Sequence, residues 1–265
     1  MRTRSLGAEG PVVTVVGLGT NNFGARIDYE QSKAVLEEAI EQGITLVDTA
    51  DIYSQGTSEE FIGRILEGRR DAVFVATKFG KPMDENPSES RGSREYIRSA
   101  VEASLRRLRS DTIDVYQMHE PDPNTPIEET LGALDELVRE GKVRWIGSSN
   151  FSPAQVREAD ELARDRGLTR FVGAQNEYSL VEREAEDELL PLCDSLGIGV
   201  LPFFPLASGL LTGKHPVGQV PTEGRLAGRE IPAERWAKVE ALQRYADARG
   251  VTLLDVAIGG LLAMP

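Results

Sequence analysis

Seven short runs of β-branched or apolar residues recur along the chain at a nearly even pitch. They are Val13–Gly17, Thr45–Ala50, Val73–Phe79, Asp114–Glu120, Arg144–Asn150, Phe171–Tyr178 and Gly199–Leu206. Successive starts lie 27 to 41 residues apart, leaving room each time for one helix and two loops. The intervening segments have helical spacing. Between Ser93 and Arg109, for example, Ile97, Val101, Leu105 and Leu108 fall on one face and Arg98, Glu102, Arg106 and Arg109 on others. Thr125-Pro126 and Ser152-Pro153 each set a capping hydroxyl before a proline suited to the first helical position.

Strands and helices in alternation give a parallel sheet, either open and doubly wound or closed as a (β/α)8 barrel. The open form calls for G-x-G-x-x-G after the first strand, but Gly17-Leu18-Gly19-Thr20-Asn21-Asn22 has asparagine where the third glycine belongs. Gly209 to His215 fails as a phosphate loop, being too short and ending on His215 where Ser or Thr is needed. The barrel is left. Its pitch calls for an eighth strand near residue 230, yet Pro232–Arg249 and Thr252–Ala263 read as helices. The expectation is an α/β chain of (β/α)8 TIM-barrel type, a single domain over residues 1–265, with the eighth strand and following helix missing at the C-terminus. Seven strands leave two unpaired edges.

Composition narrows the partners. With 43 Asp and Glu against 30 Lys and Arg, the net charge of -13 argues against nucleic acid. The longest apolar stretch, Val251–Pro265, is broken by Asp255 and by glycines, so no membrane span is expected. The run Val12–Val16 is short for a signal-peptide core, and a cytoplasmic protein is expected. One cysteine, Cys193, and two histidines offer no internal disulfide and too few soft ligands for zinc, so no metal centre is expected.

In a parallel barrel, reactive side chains come from the carboxyl ends of strands. Those positions carry Gly19, Thr20 and Asn21; Asp48 and Tyr53; Lys78; His119; Ser149 and Asn150; and Gln175. Singly, each has a plain reading: Asp48 as a turn cap, Tyr53 as a loop residue, His119 as a core imidazole, His215 as a solvated loop residue. Lys78 directly follows the apolar run Val73–Thr77 and needs a carboxylate, which Asp48 can supply. Together the residues suit carbonyl reduction. Hydride arriving at carbon puts negative charge on oxygen, which a positioned acid must protonate. A tyrosine beside an ammonium can be that acid, because the cation favours the phenolate. Lys78 would supply the cation, Asp48 would hold it, and His119 would orient the carbonyl oxygen, while the hydride would come from a cofactor.

The residues that carry this reading resemble the aldo-keto reductases. The matching stretches are Gly17-Leu18-Gly19-Thr20, Asp48-Thr49-Ala50-Asp51-Ile52-Tyr53, Thr77-Lys78-Phe79-Gly80, Tyr116 to Asp122, Gly147 to Phe151, Gln175 to Ser179, and Pro205 to Lys214. The resemblance implies a (β/α)8 barrel, NADPH as cofactor, aldehydes or ketones as small-molecule substrates, and Tyr53 as proton donor. It implies that Ser149, Asn150 and Gln175 meet the nicotinamide carboxamide, with Gly19, Thr20, Asn21 and Asp48 also near the cofactor. Phe203 falls where an aromatic ring stacks on the nicotinamide, with Phe204 and Pro205 beside it. Leu206, Ser208, Gly209 and Leu210 fall on the pyrophosphate loop, with Lys214 and Arg225 as cationic phosphate contacts. Specificity in this family is set by loops, here including Lys81–Gly92, so the physiological carbonyl and the oligomeric state stay open. The same family includes channel-associated subunits that bind nicotinamide nucleotides with little turnover, and that is the alternative reading. A metal-assisted lyase or isomerase ranks last, since only Asp48 and His119 would serve it.

Overall fold

A computed structural model of the chain describes residues 1–84 and 88–264; residues 85–87, within the Lys81–Gly92 stretch, and Pro265 lie outside the described residues. The chain divides into two compact units, Met1–Gln175 with Leu192–Val200, and Asn176–Pro191 with Leu201–Pro265.

The first unit opens with an antiparallel hairpin of β1 (Thr3–Ser5) and β2 (Val12–Thr14). The expected first strand, Val13–Gly17, is therefore corrected: its apolar half belongs to this hairpin, and the first strand of the main sheet is β3 (Gly17–Gly19). Glycine has poor strand propensity, so a Gly-Leu-Gly strand is hard to recognise beside a valine run. Thr14 joins the two pieces. Its Oγ1 donates to the Val16 carbonyl (2.8 Å) and accepts from the backbone N–H groups of Thr45 (3.0 Å) and Leu46 (3.3 Å).

From there strand and helix alternate: α1 (Tyr29–Glu41), β4 (Leu46–Asp48), α2 (Thr57–Ile65), β5 (Phe74–Phe79), α3 (Arg94–Leu108), β6 (Ile113–Met118), α4 (Ile127–Arg139), β7 (Val143–Ser149), α5 (Pro153–Arg166), β8 (Phe171–Glu177), α6 (Leu189–Leu196) and β9 (Gly199–Phe203). Strands β3 to β9 form one sheet in sequence order, with parallel register from β3 through β8. This is the (β/α)8 barrel class with one βα unit fewer among the described residues. Strand β6 is buried at all six positions, as expected of a parallel strand covered on both faces.

The helices follow their sequence signals. The Ser93 side chain caps α3, and the apolar face Ile97, Val101, Leu105 and Leu108 is buried. Ser152 caps α5 in a capping box with Gln155, with Pro153 in the first turn. Thr125 does not cap α4: Pro126 is itself the N-cap in extended conformation, and the Thr125 hydroxyl donates instead to Asp122 Oδ2 at 2.7 Å. Helix α4 is held by Leu131, Leu134 and Leu137, each fully buried and each stabilising the fold by about 1.5–3 kcal/mol. In α6, Cys193 is buried, and loss of hydration pushes its thiol up to about 11.

The second unit is organised around a core of Val181, Leu211, Leu226, Trp236, Val239 and Leu253 with neighbouring small residues. The two helices expected near the end are α7 (Ala233–Asp247) and α8 (Leu253–Leu262), the latter capped by Thr252 in a box with Asp255. No helix among the described residues is long and apolar enough to cross a membrane.

Candidate active site

Sheet register sets the site. Lys78, Gln117, Gly147 and Gly173 are successive cross-strand partners on β5 to β8, so their side-chain positions form one row on one face. Gly147 makes room for Gln117: a Cβ there would stand 2.9 Å from the Gly173 carbonyl oxygen and 3.1 Å from Gln117 Cγ. Lys78 has no solvent exposure, and its Nζ donates to Asp48 Oδ2 and to the Thr49 carbonyl, both at 2.7 Å. The other Asp48 oxygen accepts from Gln175 Nε2 at 2.8 Å and, more weakly, from Gln117 Nε2 at 3.5 Å. A buried cation is thus matched by one carboxylate, which two amides hold in place.

The Tyr53 hydroxyl is a hydrogen-bond partner of the same ammonium, whose nitrogen lies 5.2 Å from the centre of the phenol ring. Burial pulls the Lys78 pKa down. The charge on Asp48, the Tyr53 oxygen and the hydrogen bonds to both outweigh it and hold the pKa above the usual lysine value. Lys78 is therefore charged at neutral pH. The His119 ring sits edge-on to Tyr53, with centroids 6.0 Å apart at 80°. Burial, then the positive charges of Lys78 and Lys81, push its pKa down to about 2, so the imidazole is neutral. Its Nδ1 is buried without a hydrogen-bond partner.

Residues after β7 and β8 close on this cluster. Asn150, in left-handed conformation (φ 60), donates from Nδ2 to the His119 carbonyl (2.9 Å) and to Ser149 Oγ (3.1 Å), and its backbone N–H donates to the Gln175 carbonyl (3.0 Å). At the end of β3 Gly19 is exposed, and after the strand Asn21 is half-buried. Thr20 is fully buried, with its hydroxyl committed to the Asp48 carbonyl at 3.0 Å.

In the second unit, taken by itself, the Phe203 and Phe204 rings meet edge to face at 5.3 Å, and the Arg225 guanidinium lies 5.4 Å above the Phe204 ring. The turns that follow bring Phe204, Ala207, Ser208 and Gly209 to positive φ (51, 49, 60 and 106), conformations that non-glycine residues hold at a cost of about 1–3 kcal/mol each. Pro205, Leu206 and Ser208 are half-buried, the Leu210 side chain belongs to that unit's core, and Lys214 is exposed.

Three kinds of site residue escape a sequence reading. Gln117 was detectable, since it precedes His119 by two positions on a strand and so shares its face. Asp51 and Glu59 are buried carboxylates that look like ordinary loop and helix-start acids. Ser58 and Arg107 give no local signal.

The fold and cluster define a barrel-type protein with an ionisable, hydrogen-bonded centre at its carboxyl-terminal strand ends. Comparison with known proteins is specific: the Aldo/keto reductase family matches residues 15–264, and the chain belongs to this family of oxidoreductases. It is 42% identical over 271 residues to the uncharacterized oxidoreductase YrpG of Bacillus subtilis (strain 168), covering 98% of this chain and 83% of that protein. It is 38% identical over 227 residues to probable aldo-keto reductase 1 of Glycine max, covering 83% of this chain and 64% of that one. It is also 35% identical over 280 residues to a probable voltage-gated potassium channel subunit beta of Arabidopsis thaliana, covering 100% and 84%.

Proposed function

We propose that the chain reduces aldehyde or ketone carbonyls with NADPH, using Tyr53 as the proton donor. The observation that carries this reading is the fully buried Lys78 ammonium, bonded at once to Asp48, the Thr49 carbonyl and the Tyr53 hydroxyl. The donor set suits a nicotinamide nucleotide. Ser149, Asn150 and Gln175 offer the mixed donors and acceptors that a carboxamide requires, and the Asn150 and Gln175 side chains each keep an oxygen with no partner in this network. Gly19, Asn21 and Asp48 would lie near them. In the second unit, Phe203 would present its ring. The positive-φ turn at Ser208 and Gly209, between Leu206 and Leu210, with Lys214 and Arg225, would take phosphates, the two cations supplying the positive charge. When bound, the reduced nicotinamide supplies the hydride.

The chain's own residues do the rest. His119 stays neutral, and with Nδ1 buried its Nε2–H is the donor that meets the carbonyl oxygen and fixes its direction. The Tyr53 O–H delivers a proton to that oxygen as negative charge grows on it. Lys78 stabilises the charge left on the phenolic oxygen, and Asp48 keeps Lys78 charged against the pull of burial.

Following NADPH absorbance with a panel of aldehydes tests the reading. Turnover should be present and should fall about 10²–10⁴-fold in Tyr53→Phe; equal turnover in the two proteins would refute it. The similarity to a channel beta subunit favours a second reading, nucleotide binding with little turnover. NADPH fluorescence quenching without carbonyl-dependent oxidation would select it.

A further inference from the structure

Three successive strands carry a threonine at the same level: Thr20 just after β3, Thr49 just after β4, and Thr77 in β5 before Lys78. None has any solvent exposure. Buried hydroxyls must find partners, and all three find them on the first turn of α2. The hydrogens can be assigned by elimination. Thr20 Oγ1 donates to the Asp48 carbonyl (3.0 Å), so it accepts from Ser58 Oγ (3.0 Å). The single Ser58 hydrogen faces both Thr20 Oγ1 and, at 3.2 Å, the Thr20 carbonyl; either way it is spent on Thr20, and Ser58 Oγ accepts from Thr49 Oγ1 (2.9 Å). The result is a directed chain of hydroxyls, Thr49 to Ser58 to Thr20 to the Asp48 backbone. Next to it, Thr77 Oγ1 donates to Glu59 Oε1 at 2.5 Å, and Glu59 Oε2 accepts from Arg107 Nε at 2.7 Å.

This network grips both sides of the loop that carries Tyr53. The Ser58 backbone N–H donates to the Tyr53 carbonyl (3.3 Å), and the Thr49 carbonyl is the one that receives Lys78 Nζ. Between them Ser54, Gln55 and Gly56 all take positive φ (51, 52 and 91), a run that persists only if its surroundings enforce it. Arg107 lies across its end: a Cβ on Gly56 would stand 2.6 Å from Arg107 Cδ. Helix α2 thereby ties together the backbone positions that set the phenol against the ammonium.

We infer that Ser58 and Glu59 are positioning residues that hold the Tyr53 hydroxyl on Lys78, acting through Thr49, Thr77 and the strained loop and not by touching substrate. The inference rests on the reading of Tyr53 as proton donor, so its test includes a measurement that needs no turnover. The ionisation of Tyr53 is read by ultraviolet difference titration, each protein against the same protein carrying Tyr53→Phe. In Ser58→Ala and in Thr77→Val, neither of which changes a charge, Tyr53 should ionise at a pH about one unit higher than in the parent, as the phenol moves away from the cation. In carbonyl reduction, kcat should fall about tenfold while KM for the carbonyl stays within about twofold, the signature of misaligned chemistry and not of lost binding. Thr77→Val keeps the side-chain shape and removes only the hydrogen bond to Glu59, so it carries the test if Ser58→Ala does not fold. An unchanged Tyr53 titration in the folded variants overturns the inference whatever the kinetics do. A shifted titration in a protein whose parent shows no turnover upholds the positioning and sinks only the proposed reaction.

Discussion

Two aspartates at opposite ends of the sheet show how the same chemical group is put to different uses. Asp114, at the amino end of β6, is 3% exposed and over-supplied with donors: Arg70 Nη2 at 2.6 Å, Arg144 Nη1 at 2.9 Å and the Val75 N–H at 2.9 Å. Asp48, at the carboxyl end of β4, has one cation and two amides, and 20% of its side chain remains exposed. Among the described residues, Gln117 Oε1, His119 Nδ1 and Ser148 Oγ are left unsatisfied toward the carboxyl ends of their strands, whereas the Asp114 cluster leaves only Arg70 Nε. One end is a nearly closed network in which the carboxylate is fully engaged; the other keeps more unused hydrogen-bonding groups and a shared cation. That asymmetry is the one expected of a parallel barrel, with stability invested at the amino ends of strands and reactivity at the carboxyl ends.

Breaking the contrast at the closed end should have the largest effect. Asp114→Ala removes the acceptor shared by Arg70, Arg144 and the Val75 N–H, and since Arg70 is 21% and Arg144 52% exposed it should cost about 2–3 kcal/mol, roughly a 5–10 °C fall in thermal midpoint, with turnover per folded molecule unchanged. A lost activity with an unmoved midpoint would erase the distinction between the ends.

At the open end activity is expected to suffer more than stability. Asp48→Asn preserves shape but replaces one acceptor oxygen with an NH2 that cannot accept from Lys78 or from the two glutamines, so the midpoint falls too, while turnover per folded molecule drops on the order of 10²-fold. The change also has a pH signature. Asp48 raises the Lys78 pKa and burial lowers it, so with the carboxylate gone Lys78 loses its proton at lower pH and the alkaline limb of the activity profile shifts downward. An unshifted limb would show that the lysine charge does not depend on Asp48.

The smallest effect sharpens the picture between the two. Asp51 is 1% exposed, and burial first, then the charge of Glu59, raises its pKa well above 3.8. A carboxyl that binds its proton more tightly folded than unfolded loses stability as pH rises from the unfolded pKa toward the folded one. Asp51→Asn should therefore be nearly neutral near pH 4 and stabilising at pH 7, by about 1 kcal/mol or roughly 2–4 °C. Paired melting curves at the two pH values check it.

What the sequence reveals of the site depends on how local the information is. Asp48, Lys78 and His119 stand out because each ends or directly follows an apolar run, so a strand end and a polar group are read from adjacent residues. Tyr53 follows from its distance to Asp48 and the chemistry it completes. The framework that holds them is different. Thr20, Thr49 and Thr77 pass for ordinary β-branched strand residues, and Ser58-Glu59 for a helix start, because what unites them is contact across residues up to 38 positions apart. Lone glycines mislead as well: Gly17 and Gly19 flank a real strand, while the more strand-like Val12–Thr14 builds a hairpin.

The burial of Cys193 has a practical side. The chain's single thiol is shielded and held as the unreactive protonated form to about pH 11, so alkylating dyes should pass it by in the folded protein. A cysteine introduced at an exposed position such as Gln55 would then be the sole point of attachment, allowing a fluorophore to report on movements of the Tyr53 loop without first removing the native sulfur.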